Sequence, residues 1–346
     1  MAACDSSTTK EATLYKRLLN SPRPQYPFPD LVNPQVDSLF SEYCQWIDED
    51  GQFESQRARD KHKQHRLCDV AARAFPAMAL EELRPVARFT AFLAIIDDYM
   101  DTASQEEMEA VKKRVSDIYT GLEDRKPPAG FYRQMYMLRH DAIACEMPPH
   151  LYQEFIDSIL DMMTGYGEEK EYNAKGTPPS IAGYQEIRRQ TSGGICYARY
   201  LCMEKNYRTL PDTVLKHPTI LRMHSLVGSL IGYHNDFISL PKELARGGDV
   251  MNIVMVVQNE LKLDLDEACA RALEIHNEAL DELIWLQNAL PDFGEWQHTA
   301  QEYVNDLGVL VQGVYSWHTQ SSGRYAAGAY VEPEYQADGK VGLAQI

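Results

Sequence analysis

From about residue 35 to residue 318, the apolar residues of this chain recur three and four positions apart and almost nowhere alternate. That period belongs to α-helices with one buried face, whereas strands need a period of two. Leu39, Phe40, Tyr43 and Ile47 open the pattern. A long helix from about Leu80 to Met100, bent at Pro85, follows it. Next comes SQEEMEAVKKRVSDIYTGLED, in which Ser104 and Glu107 form a capping-box pattern. The stretches 131–145, 150–166, 180–204, 213–243, 249–262, 264–289 and 296–318 continue it, punctuated by PPAG, KGTPPS, RTLPDT and PDFG. There is no strand–helix alternation, no Asn-Gly hairpin signal and no internal repeat. Helices of about 20 residues are roughly 30 Å long. The expectation is one all-α domain over residues 35–330, a bundle of roughly ten helices around a central cavity. Residues 1–34, ending in SPRPQYPFPD, read as an N-terminal arm, and 331–346 as a flexible C-terminal tail.

Charge and cysteine usage narrow the function classes. The 34 Lys and Arg against 51 Asp and Glu give a net charge of −17. No basic run is long enough to displace counterions from nucleic acid, and an anionic membrane surface is a poor partner for the same reason. The seven cysteines are scattered and form no C-x-x-C, which argues against a disulfide framework and for a reducing compartment. MAACDSSTTKEAT lacks the apolar core of a secretory signal. The longest apolar run, near FTAFLAII, falls short of the ~20 residues of a membrane span. The expectation is a soluble, cytoplasmic protein.

Two constellations carry chemistry. The first is Asp97-Asp98-Tyr99-Met100-Asp101, at the C-terminal end of the most apolar helix. Asp97 and Asp101 are i and i+4, so both carboxylates leave one helix face. Two like charges at the negative end of a helix dipole are unfavourable unless a cation reverses both effects. Mg²⁺ suits such hard oxygen donors, with water and substrate phosphate completing its shell. The alternative is a solvated helix end, but FTAFLAII just upstream favours the mouth of a buried pocket. The second constellation is NDFISLPKE, residues 235–243. Asn235, Ser239 and Glu243 lie at i, i+4 and i+8, forming one strip of amide, hydroxyl and carboxylate oxygens, a candidate second Mg²⁺ site. Lys242 is placed to reach a phosphate, and Pro241 removes a backbone bond and predicts a kink. Two metal sites on separate helices point to an anion that several Mg²⁺ ions can bridge, and diphosphate fits.

Together, DDYMD and NDFISLPKE resemble the aspartate-rich and Asn/Ser/Glu metal motifs of class I terpene synthases, in the right order and roughly 140 residues apart. Phe237 stands where that family more often has an aliphatic residue. Arg189, 46 positions before Asn235, resembles the family's diphosphate-sensing arginine, although the adjacent Arg188 is an alternative phosphate ligand. Ser192 and Gly193 stand at the family's linker and effector positions. Arg324-Tyr325 resembles its terminal Arg-Tyr pair. The resemblance covers about 80–325 and is to the microbial single-domain type. It implies three Mg²⁺ ions, bound with help from Asp97, Asp101, Asn235, Ser239 and Glu243. It also implies diphosphate contacts from Arg189, Lys242, Arg324 and Tyr325, and catalytic roles for Asp97, Arg189, Gly193, Arg324 and Tyr325. Gly193-Gly194 inside a helical pattern reads either as a helix break that turns a carbonyl toward the pocket or as a tight helix–helix contact.

Helical phase nominates a cavity wall of Phe89, Leu93, Ala94, Gly232 and Trp317, and assigns Phe92 and Tyr233 to the core. The family usually has an aromatic where this chain has Leu93 and Ala94. Other signals fail. The run Asp48-Glu49-Asp50-Gly51 would put Trp46 and Arg57 at the end positions of a calcium loop. Asp264-Leu265-Asp266-Glu267 opens an amphipathic helix and reads as its cap. A di-iron bundle needs two E-x-x-H motifs and only Glu295/His298 is present. The resemblance implies cyclisation of an isoprenoid diphosphate, farnesyl diphosphate first and geranylgeranyl diphosphate second, with release of diphosphate and a homodimer by analogy. A prenyl-elongating transferase would carry a second Asp-rich motif in place of NDFISLPKE. A non-catalytic prenyl-diphosphate-binding helical protein is the remaining alternative.

Overall fold

The computed structural model describes residue 18 and residues 22–323, apart from 52, 54, 101 and 102. All regular structure among them is helical. The order is α1 (Val36–Asp50), α2 (Gln56–Gln64), α3 (Cys68–Ala74), α4 (Leu80–Met100), α5 (Gln105–Thr120), α6 (Phe131–Ala144) and α7 (Pro149–Lys175). There follow α8 (Ile181–Thr191), α9 (Gly194–Leu201), α10 (Asp212–Leu215), α11 (Pro218–Arg246), α12 (Ile253–Leu261), α13 (Leu265–Asn288) and α14 (Gln297–Ser316). A π-helical turn, Trp317–Ser321, closes the described chain. No described helix is long and apolar enough to cross a membrane.

Local chemistry sets most of these boundaries. At α5, Ser104 Oγ accepts from the Glu107 N–H while Glu107 Oε2 accepts from the Ser104 N–H, the reciprocal cap its sequence predicts. Asp264 does the same for α13 with Glu267, so that acidic cluster is a helix start. The helix expected over 150–166 runs on to Lys175 and ends only where Gly176 takes a left-handed φ of 62°. The stretch 213–243 divides: α10 is one short turn, and α11 begins at Pro218 with its first turn capped by the His217 ring. Both α4 and α11 continue through their internal prolines, Pro85 and Pro241.

Helix α11 organises the bundle. Its 29 residues span about 44 Å, and it packs against α8, α9, α12, α13 and α14. Val227, Leu230 and Ile231 bury its inner face. The crossing with α9 is close because both helices carry glycine: a Cβ on Gly194 would come 2.7 Å from the Gly228 Cα. On the other side, α4 packs on α6, α3 and α1, burying Leu83, Val86, Phe92 and Ile96.

The described part of the N-terminal arm is bound to the bundle. Tyr26 lends its hydroxyl to His234 Nδ1 and His276 Nε2, each at 2.9 Å, tying the arm to α11 and α13. Phe28 fills the notch left by Gly308 on α14, where a Cβ would lie 2.6 Å from its ring. Asp30 pairs with Arg73 at 3.0 Å, and buried Asn33 donates to the carbonyls of Phe75 and Met78. The expected tail, 331–346, lies outside the described residues.

Candidate active site

The half-buried Asp97 sits in the last turn of α4. Across from it, α7 presents Tyr166 and Glu169. Burial raises the pKa of both, and the Asp97 charge raises it further. Glu169 is pushed up to about 7, against the pull of Arg188 and a hydrogen bond from Thr191. Its Oε1 stands 3.8 Å from an Arg188 nitrogen. Glu169 thus pairs with Arg188, which reaches the second motif, and feels the charge of Asp97 in the first. Lys170, one residue along α7, donates to the carbonyls of Met100 and Ala103, capping the end of the aspartate-bearing helix.

The two arginine candidates, neighbours on α8, separate here, and only one reaches α11. Arg188 carries its side chain across Gly232, where a Cβ would come 2.9 Å from the Arg188 Cγ. Its guanidinium then donates to Asn235 Oδ1 at 2.8 Å and to Asp236 Oδ1 at 3.0 Å, with a second nitrogen 2.8 Å from Asp236 Oδ1 as an ion pair. Burial works to lower the Arg188 pKa, but the Asp236 carboxylate outweighs it and holds the pKa well above the ordinary value. Arg189 instead pairs with Glu186 on its own helix, at a side-chain exposure of 31%. Asp236, 1% exposed, also accepts from the Tyr184 hydroxyl and from the Ile253 N–H at 2.7 Å.

The remaining donors of the second motif lie further along α11. Ser239 is buried and Glu243 half-buried. Burial pushes the Glu243 carboxyl up to about 7, Asp236 adding to the effect. Against this, Glu243 Oε2 accepts from the Asn252 amide at 2.8 Å. An amide oxygen, a hydroxyl and a carboxylate in low dielectric, along one helix strip, are hard donors whose charge a cation would stabilise, so the residues fit Mg²⁺. Among the described residues no cluster of three or more His, Cys, Asp or Glu has metal-holding geometry; this strip contributes only one such side chain, and Asp101 lies outside the described set.

Between the motifs, the helical stretch 180–204 is broken. Helix α8 ends at Thr191, Gly193 takes a φ of 75°, and α9 starts at Gly194. Ser192 Oγ bridges the break to α11 by donating to the Gly228 carbonyl at 2.8 Å. The Gly-Gly pair therefore both breaks the helix and packs it closely, while the Gly193 carbonyl accepts from the Tyr197 N–H at 3.1 Å. Gly193 makes the break, and Gly194 makes the tight helix contact. Gly193 faces α4, where the Leu93 Cδ2 lies 2.9 Å from its ideal Cβ position.

Other expected positions fall as follows. Leu93 and Ala94 are half-buried on α4, and Leu93 meets the break. Phe89 is fully buried, its ring edge-on to Phe155 and Tyr197 and its tip 3.8 Å from the ideal Cβ position of Gly193. At Gly232, the side chains of Arg188 and Ser192 come within 3.4 Å of the ideal Cβ position. Trp317 is 5% exposed and donates its indole N–H to the Arg66 carbonyl at 2.9 Å. It opens the π-helical turn Trp317–Ser321, and its expected alignment with Arg324 falls outside the described residues. Phe92 and Tyr233 are core, as expected. Lys242 is half-buried beside Glu243. Asp101, Arg324 and Tyr325 lie outside the described residues. Sequence reasoning missed Glu169, Lys170, Asp236 and Asn252. Only Asp236 had a signal, a carboxylate inside an otherwise apolar helix stretch.

Comparison with known proteins agrees with this geometry. The pattern of "Terpene synthase family 2, C-terminal metal binding" matches residues 88–282. Germacrene A synthase of Nostoc punctiforme is 25% identical, covering 84% of this chain and 88% of its own length. The (+)-T-muurolol synthase ((2E,6E)-farnesyl diphosphate cyclizing) of Roseiflexus castenholzii is 26% identical over 87% of this chain and 92% of that protein. The crystal structure of a-eudesmol synthase superposes with a TM-score of 0.73 at 19% identity, over 87% of this chain and 100% of that one. Hedycaryol synthase in complex with nerolidol gives 0.68, also at 19% identity, over 86% and 99%. The chain belongs to terpene synthase family 2 and is a class I terpene synthase of the microbial type, a carbon–oxygen lyase.

Proposed function

We propose that this enzyme takes farnesyl diphosphate, ionises it in a Mg²⁺-dependent step and cyclises the resulting allylic cation, releasing diphosphate. The observation that carries the reading is the strip of Asn235, Ser239 and Glu243 on α11, with Arg188 joining Asn235 to Glu169 of α7, a carboxylate that also feels the charge of Asp97 on α4. Farnesyl diphosphate is favoured because it stands in the name of the Roseiflexus relative, and other relatives of similar identity are called sesquiterpene synthases. When bound, Mg²⁺ supplies positive charge to the departing diphosphate. Three ions are proposed, held by Asp97 and Asp101 on one side and by Asn235, Ser239 and Glu243 on the other.

The chain's own residues do the rest. Arg189 is partly exposed and held only by Glu186 at the helix surface, so its fork can turn to phosphate oxygens at little cost. Lys242 stands beside Glu243, and Arg324 and Tyr325 follow the π-turn in sequence; all three are assigned to the diphosphate. Gly193 contributes backbone polarity at the break, next to the apolar Leu93. A dry, apolar surround there keeps water from quenching the cation.

The test is incubation of purified protein with farnesyl and with geranylgeranyl diphosphate, each with Mg²⁺ and with EDTA. Gas chromatography–mass spectrometry of the extracts is paired with a diphosphate-release assay. A Mg²⁺-dependent cyclic product from farnesyl diphosphate is expected. A cyclic product from the C20 substrate alone overturns the substrate assignment. A longer linear diphosphate, formed only with isopentenyl diphosphate, overturns cyclisation. For the metal assignment, the double variant Asn235→Ala/Ser239→Ala should lose turnover at limiting Mg²⁺; wild-type turnover there removes the second motif as a metal site.

A further inference from the structure

We infer that Asn252, which lies outside both motifs, is a positioning residue for the second one: its side-chain amide fixes the Glu243 carboxylate in the orientation in which it can take a cation. The inference rests on the metal reading above. Asn252 is 0% exposed, and a fully buried amide is retained only when its donors and acceptor are used. All of them find partners at one place. The Nδ2 group donates to Glu243 Oε2 at 2.8 Å and to the Asp236 carbonyl at 2.9 Å. The Oδ1 atom accepts from the Val254 N–H at 3.0 Å, capping α12. One side chain therefore pins the start of α12 to two points seven residues apart on α11.

The consequence for Glu243 is directional. With Oε2 held by Asn252 and a further hydrogen bond from Ser239, itself one of the strip's donors, the carboxylate cannot spin freely about its last torsion and keeps its face toward the strip. Asp236 completes the frame from the other side. Its backbone carbonyl takes Asn252, its Oδ2 takes the Ile253 N–H, and its Oδ1 holds Arg188, which in turn holds Asn235. The outermost donors of the strip, Asn235 and Glu243, are thus each fixed by a buried partner that is not itself a ligand. Partners of this kind typically change metal affinity by about 10- to 100-fold when removed.

The experiment separates this role from the helix cap. Asn252→Ser keeps an oxygen suited to capping α12 but is too short to reach Glu243. Asn252→Asp keeps the capping oxygen in place but has no N–H to give. Full-length wild type and both variants are titrated with Mn²⁺ in the presence of inorganic diphosphate, with free Mn²⁺ read by electron paramagnetic resonance. Melting temperature and the Mg²⁺ dependence of turnover are measured alongside. The expected result is Mn²⁺ binding weakened about 10-fold in both variants. The Mg²⁺ concentration for half-maximal turnover should rise in proportion, with kcat at saturating Mg²⁺ within about threefold of wild type. Unchanged Mn²⁺ affinity, whether or not the variants melt earlier, would reduce Asn252 to a cap and overturn the inference. If Asn252→Ser fails to fold, Asn252→Asp alone decides by the same criterion. Wild-type uptake that is absent, or indifferent to Glu243→Ala, overturns the metal reading itself and is distinguishable from both.

Discussion

Asp236→Asn is the most informative single change to the frame behind the second motif. The carboxylate accepts three hydrogen bonds, from Arg188 Nε, the Tyr184 hydroxyl and the Ile253 N–H, and a second Arg188 nitrogen stands 2.8 Å from it as an ion pair. An asparagine keeps one oxygen. If that oxygen stays with Arg188, its new NH₂ group faces the Ile253 N–H, donor against donor, which costs about 1–3 kcal/mol. It also leaves the Arg188 guanidinium, on a side chain 13% exposed, without a carboxylate in direct contact. Removing one partner of a buried ion pair costs about 3–5 kcal/mol. Arg188 retains Asn235 Oδ1 at 2.8 Å and Glu169 at 3.8 Å, which pulls the expected total to the lower end, about 3 kcal/mol. With a urea m-value of about 3 kcal/mol/M, the unfolding midpoint followed by circular dichroism should fall by about 1 M. Adding Arg188→Met to Asp236→Leu should cost much less than the two single changes summed, because neither partner of the Asp236–Arg188 pair is then left alone. A midpoint within about 0.2 M of wild type for Asp236→Asn would refute the reasoning.

Gly193→Ala puts a side chain at a φ of 75° and a Cβ 2.9 Å from Leu93, so a loss of about 1–2 kcal/mol is expected in the same assay; an unchanged midpoint would mean the break does not demand glycine. Tyr26→Phe removes the hydroxyl shared by His234 and His276 and should cost about 1–3 kcal/mol. Amide exchange over residues 22–33 should also quicken, and exchange at the wild-type rate would show that the arm is held by other contacts. Glu204, 6% exposed, is pushed up to about 7 by burial and then by Asp306. Its folded form therefore binds more protons than the unfolded chain between about pH 4.5 and 7, and wild-type stability drains away as pH rises through that window. Glu204→Gln should gain about 1–3 kcal/mol on wild type between pH 5 and pH 8, and parallel stability curves would refute this.

How much of this was legible in the sequence follows from how local each feature is. Ser104, Asp264 and Gly176 set helix ends through bonds spanning a few residues, so their effects can be read directly from the order of residues. The placement of Asn235, Ser239 and Glu243 along one strip is equally local, being fixed by the helix pitch alone. The periodicity by itself determined an all-helical chain. Which neighbour each side chain finds is another matter. Arg188 and Arg189 are adjacent in sequence and chemically identical, yet one reaches Asn235 and Asp236 because Gly232 leaves room for it, and the other stays with Glu186. Trp317 opens a π-helical turn, whose i→i+5 bonding no residue pattern in the sequence announces. Glu169 and Asn252 join the site from helix α7 and from the cap of α12, and no periodicity in either segment says what lies opposite. Sequence fixes what repeats within a turn of helix. Contacts across tens or hundreds of residues depend on how helices cross, and the crossing is set by the summed packing of the whole bundle, here through glycine-sized gaps at Gly194, Gly228 and Gly232.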